Sequence, residues 1–329
     1  PGEVHVRMGR GDGSFGERST YEVERQPNAL LMADMDGDGV LDLITSSGLD
    51  TFNTEYTLLF GQGDGSFVVG APWVVGRGEK ALVLSDMNGD GTPDLVSLNN
   101  ADQTILLRLG QGNGRFSEPS MVSPIGGGHS AVVQDVNGDA RPDLLVAHQP
   151  NRLIVYAQTS ERRLEMGEVL VTGDVPVALV SGDLNGDGVI DLLTVNRASD
   201  DLSLFTGNGD ERFSASPLVS LDAPPQSITV ADVNGDGMPD ILSVPTNADE
   251  VWVMMGRNEG GFESPSVFEM GEPTTSVVVA DLNRDGLADL ITPSLFVRLG
   301  RGNGDFEDVV TLPTGVRPDS LSVFDLNGD

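Results

Sequence analysis

Asp34-Met35-Asp36-Gly37-Asp38-Gly39-Val40-Leu41-Asp42 is a nine-residue acidic loop, and the chain spells it again from Asp86, Asp135, Asp183, Asp232 and Asp281. A seventh copy begins at Asp325 and is cut at Asp329. Successive first aspartates lie 52, 49, 48, 49, 49 and 44 residues apart, so each loop belongs to a unit of about that length. Such a period marks a repeat architecture.

The spacing of oxygen donors points to a hard divalent cation. Calcium takes about six to eight oxygen ligands, which carboxylates and carbonyls of one tight turn can supply. Positions 1, 3, 5 and 9 offer side chains in every full copy. They are Asp34, Asp36, Asp38 and Asp42; Asp86, Asn88, Asp90 and Asp94; Asp135, Asn137, Asp139 and Asp143. The later copies give Asp183, Asn185, Asp187 and Asp191; Asp232, Asn234, Asp236 and Asp240; Asp281, Asn283, Asp285 and Asp289. The cut copy retains Asp325, Asn327 and Asp329. Position 7 offers a backbone carbonyl, from Val40, Thr92, Arg141, Val189, Met238 and Leu287. About six to seven calcium sites are expected. Position 6 is glycine, where positive φ is cheapest, except at Ala140.

A helical calcium loop of the EF-hand kind needs an acidic residue at position 12. Here that position holds Thr45, Ser97, Val146, Thr194, Ser243 and Thr292. The flanks are short, apolar and partly β-branched, as in residues 30–33, 43–45 and 277–280, and read as strands. Asp, Asn and Gly also form ordinary turns, but six copies in register go beyond turn chemistry.

A second recurrent turn begins 18 to 26 residues after the first aspartate of a loop, as in residues 60–67, 109–116 and 299–306. Glycine with Asp or Asn between apolar runs is a hairpin signal. A third segment precedes each loop, including Gln26-Pro27, Val175-Pro176, Glu272-Pro273 and Arg317-Pro318, and reads as the crossing between units. Four strands then fill each unit, and a ring of four-stranded sheets is a β-propeller.

The unit resembles the FG-GAP or VCBS repeat of the integrin α-subunit propeller, down to Phe60-Gly61 and Gly70-Ala71-Pro72. The resemblance implies an all-β, seven-bladed propeller with the calcium loops between first and second strands on one rim. It also implies ligands on the opposite face or in clefts between blades. Residues 1–25 and 315–329 are expected to share the seventh blade, closing the ring of one domain over 1–329. About ten residues are missing from that split unit, so the chain is expected to be a piece of a longer parent.

The formal net charge of −32, from 51 acidic residues against 19 basic ones, disfavours nucleic acid as a partner. No apolar run reaches the roughly 18 residues of a membrane span. There is no cysteine, which leaves the redox compartment open. Extracellular calcium modules work at about 10⁻⁴ to 10⁻³ M, so an extracellular or cell-surface location is expected.

The sites are not expected to be equal. Ala140 strains the third loop, making it the weakest of the complete six, while the four aspartates of the first loop favour tighter binding. Arg10-Gly11-Asp12 reads as a hairpin turn rather than an adhesion ligand. His5, His129 and His148 stand at different places in their units and suggest neither catalysis nor a transition metal.

Two functional classes fit these features. One is a non-catalytic binding or adhesion module for carbohydrate or protein, selecting its ligand through loops 46–55, 99–104, 196–201 and 245–250. The other is a polysaccharide-acting lyase or hydrolase, or its accessory propeller. Trp73, Trp252 and three tyrosines, out of register with one another, leave few aromatics for stacking on sugars.

Overall fold

The computed structural model describes residues 2–8, 16–23, 27–47, 53–124, 128–216, 218–257, 261–311 and 323. Among them every regular element is a β-strand, and all pairings are antiparallel. The strands make one two-stranded sheet and six sheets of four or five strands. Numbered blades 1 to 6 in chain order, these six each carry one complete acidic loop.

Blade 2 shows the plan. Glu79–Ser85 runs inward of Asp94–Asn99, which pairs with Thr104–Arg108, which pairs with Ser120–Ser123 at the outer edge. The acidic loop joins the first two strands, and its ninth residue, Asp94, is the first residue of the second strand. Blades 1 and 4 differ at the outer edge, where the fourth strand is broken into Phe67–Val69 with Trp73–Arg77 and Phe213–Ala215 with Val219–Ser220.

The first strands, Pro27–Ala33, Glu79–Ser85, Gly128–Gln134, Pro176–Gly182, Pro225–Ala231 and Val278–Ala280, lie side by side in chain order. The proline segments expected as crossings between units partly belong to these strands, since Pro27, Pro176 and Pro225 open theirs. A strand's first residue tolerates the missing N–H, and the ladder shifts register directly after each of these prolines.

The core lies between blades. Met35, Ile44 and Tyr56 of blade 1 pack on Leu82 and Leu95 of blade 2. Leu145 and Val155 of blade 3 pack likewise on Leu192 and Phe205 of blade 4. A second strand therefore has neighbours on both faces, and Asp42–Ser47, Asp94–Asn99, Asp143–His148, Asp191–Asn196 and Asp240–Pro245 are buried throughout. Truncating such a leucine to alanine costs about 2 to 5 kcal/mol.

The two-stranded sheet of Gly2–Val6 and Ser19–Val23 packs Val4 and Val23 against Leu43 and Leu59 of blade 1. The rest of the expected seventh blade, residues 315–329 apart from Val323, lies outside the described residues. So do Asp325, Asn327 and Asp329, and the Arg10-Gly11-Asp12 turn.

Candidate metal loops and an interblade cleft

Each acidic loop is wound around its own carboxylates. In blade 1, Asp34 accepts the N–H groups of Gly37 at 2.8 Å and Gly39 at 2.9 Å. Asp36 takes the Asp38 N–H at 3.2 Å, and Asp38 takes that of Val40 at 2.7 Å. The pattern recurs in the other loops, for instance from Gly188 to Asp183 and from Met238 to Asp236.

This winding requires positive φ at two places rather than one. Position 6 was legible, with Gly39 at 84° and Ala140 at 61°. Position 4 behaves alike, and in blade 6 it is filled by Arg284 at 62°. The left-handed region is uncommon for residues with a β-carbon.

The ninth residue does more than the spacing suggested. Asp42, Asp94, Asp143, Asp191, Asp240 and Asp289 are buried. One oxygen of each accepts the N–H at position 2 of its loop, at 2.8 to 3.2 Å. The other accepts the N–H of the residue that opens the next hairpin, at 2.7 to 2.9 Å. That residue is Gly61, Gly110, Gly207, Gly256 or Gly300, because a β-carbon there would meet a loop carbonyl at 2.1 to 2.3 Å. Blade 3 has Gln158 instead. Burial raises the carboxyls of Asp42, Asp94, Asp143, Asp191 and Asp240 above the usual aspartate range, against the pull of these hydrogen bonds.

The donor set fits a hard cation. In blade 1 one oxygen from each of Asp34, Asp36 and Asp42 lies within 4.8 Å of the others. A carboxylate has about four lone-pair sites, so one or two N–H bonds do not exhaust it. In four loops the asparagine at position 3 donates to the carboxylate at position 5, as Asn88 does to Asp90 at 2.8 Å and Asn185 to Asp187 at 3.0 Å. Asp90 lies below the usual range, chiefly through that Asn88 bond, with the Thr92 N–H and the Arg162 charge adding to it. Blade 1 has Asp36 at position 3, so a carboxylate stands where the other loops place an amide.

A cleft of about 580 Å³ opens between blades 1 and 2, the kind of place the resemblance implied for a ligand, with a lining that the repeat spacing did not reveal. Phe60, Trp73 and Phe116 line it with Arg108, Asn113 and Glu118. Trp73 stacks on Phe116 with centroids 6.0 Å apart and takes the Tyr56 ring edge-on at 5.7 Å. Burial lowers the pKa of Arg108, whose Nη1 donates to the Ser117 carbonyl at 3.3 Å. The matching cleft between blades 4 and 5, about 440 Å³, has Thr206 in place of Phe60 and keeps Phe262 in place of Phe116. The loops expected to select a ligand do join second to third strands at the blade ends opposite the acidic loops, though residues 48–52 lie outside the described set.

Residues 86–146, 183–243 and 232–292 match the FG-GAP-like repeat. No curated protein matches the sequence. A putative 6-phosphogluconolactonase from Bacteroides uniformis has a similar fold, with 11% identity, a TM-score of 0.66, and 93% of this chain and 91% of that one covered. BBS1N, crystallised in complex with ARL6DN, is similar at 13% identity and a TM-score of 0.60, covering 88% of this chain and 86% of that one. The Vibrio cholerae biofilm matrix protein Bap1 is similar at 17% identity and a TM-score of 0.52, covering 85% of this chain and 41% of that one. At these identities the likeness is one of fold, a β-propeller.

Proposed function

This chain belongs to the FG-GAP-like repeat family, and we propose that it is a calcium-stabilised binding or adhesion module with seven blades. The ring closes when residues 315–329 join the two-stranded sheet at the other end of the chain. Leu30 and Met32, 52% and 38% exposed on the inner strand of blade 1, offer that segment an apolar surface.

Calcium is held at positions 1, 3, 5 and 9 and at the position 7 carbonyl of each loop. Bound there, it supplies charge compensation. The protein's residues supply the turn, the buried ninth carboxylate and the tie to the next hairpin. Calcium at extracellular concentrations suits such sites, so the module works outside the cell or on its surface.

The observation that carries the binding function is the aromatic cleft of blades 1 and 2. Pockets that hold small ligands pair aromatic walls with a few convergent polar groups. The ligand is a carbohydrate, whose apolar ring face would lie on Trp73 or Phe60, or a protein side chain of similar shape. A like-folded domain, BBS1N, is held in complex with ARL6DN, which supports the protein alternative.

A glycan and protein array probed in calcium tests this reading, followed by affinity measurements on the hit. Trp73→Ala should weaken binding about tenfold or more while the strand circular dichroism persists. Wild-type affinity in that variant, or no hit on either array, contradicts the assignment.

A further inference from the structure

The hairpin between third and fourth strands leans onto the acidic loop of the preceding blade. Its fifth residue is Gly65, Gly114, Arg162, Glu211 and Gly304 in blades 1, 2, 3, 4 and 6, always with φ between 58° and 82°. In blade 2 the Gly114 N–H donates to the Met35 carbonyl in the blade 1 loop at 3.0 Å. Where glycine gives way to a charged residue, its side chain reaches the same loop.

Two loops are affected with opposite sign. Arg162 lays its guanidinium on Gly89 so closely that a β-carbon there would lie 2.1 Å from Nη1. Gly89 sits between Asn88 and Asp90 and donates its N–H to Asp86 at 2.6 Å. Glu211 instead accepts a hydrogen bond from the side-chain amide of Asn137. In the other described asparagine-bearing loops that amide serves the position 5 carboxylate. In this loop Arg141 pairs with Asp139 in its place.

We infer that the hairpin of one blade sets the calcium affinity of the loop before it, with Arg162 weakening the Asp86 loop and Glu211 strengthening the Asp135 loop. The inference rests on the reading of these loops as calcium sites. A guanidinium beside the donors repels a divalent ion and competes for its carboxylates. Glu211 adds a carboxylate where Arg141 has tied one up.

Calcium titration of the whole chain followed by amide NMR tests this loop by loop. The Gly91, Ala140 and Gly188 N–H groups bond the first aspartates of the Asp86, Asp135 and Asp183 loops and report each separately. Arg162→Gln should lower the Gly91 midpoint by about three- to tenfold, the effect of one nearby screened charge. Arg162→Lys should keep it near wild type, and Glu211→Gln should raise the Ala140 midpoint. Gly188 should stay unmoved in all three, as the control for intact folding. An unchanged Gly91 midpoint in Arg162→Gln, or equal shifts in the Gln and Lys variants, overturns the inference. If no loop amide of the unaltered chain responds to calcium, the reading of the loops as calcium sites fails first and takes the inference with it.

Discussion

Asp191 accepts the backbone N–H of Gly207 at 2.9 Å, tying the acidic loop of blade 4 to the hairpin that follows its third strand. Its second oxygen takes the Leu184 N–H at 3.0 Å. The last residue of the loop is therefore a strut of the blade whether or not a cation is bound.

Asp191→Ala should expose this role. It leaves two buried N–H groups without their acceptor, each costing about 1 to 3 kcal/mol. The urea midpoint should fall in chelator through the lost strut, and fall further in calcium, where a metal ligand is lost as well. A loss seen only in calcium would mean that the residue acts through the metal alone.

The pH dependence of stability should change sign with calcium. Burial raises five of the ninth-position carboxyls in the folded chain. Between the ordinary aspartate value and the raised one, the folded state holds more protons than the unfolded state, so stability increases as pH falls. In chelator the melting temperature should climb from pH 7 toward that window and level off below the ordinary value. In calcium it should fall, because protonation releases the ion. Parallel melting curves across pH in the two buffers would argue against this linkage.

Ala140→Gly should stabilise the chain by about 0.5 to 1 kcal/mol. The residue holds φ at 61°, where alanine is strained by about 1 to 2 kcal/mol and glycine is not, while glycine's greater freedom when unfolded takes back part of the gain. Equilibrium unfolding in chelator measures this apart from metal affinity. A destabilised variant would show that Ala140 packs usefully.

The acidic loops and the strands around them were legible because every donor and turn residue keeps fixed spacing, as from Asp34 to Asp42. Position 4 was less legible, since five glycines there could pass for ordinary turn residues until Arg284 was seen at positive φ. The double hydrogen bonding of Asp191 was hidden because Gly207 is its neighbour across the sheet rather than along the chain. Arg162 over Gly89 and Glu211 against Asn137 depend on how blades pack, which no spacing within one unit records. Phe60 and Phe116 stand at opposite ends of the recurrent turn in successive units, and they meet Trp73 only in the cleft between blades.

Calcium titration by calorimetry, paired with melting in calcium and in a strong chelator, tests whether the acidic loops hold structural metal. Three or four carboxyl groups in each unfilled loop repel one another, so binding six or more ions per chain should raise the melting temperature markedly. Identical melting in both buffers, with no heat of calcium binding, would contradict the account.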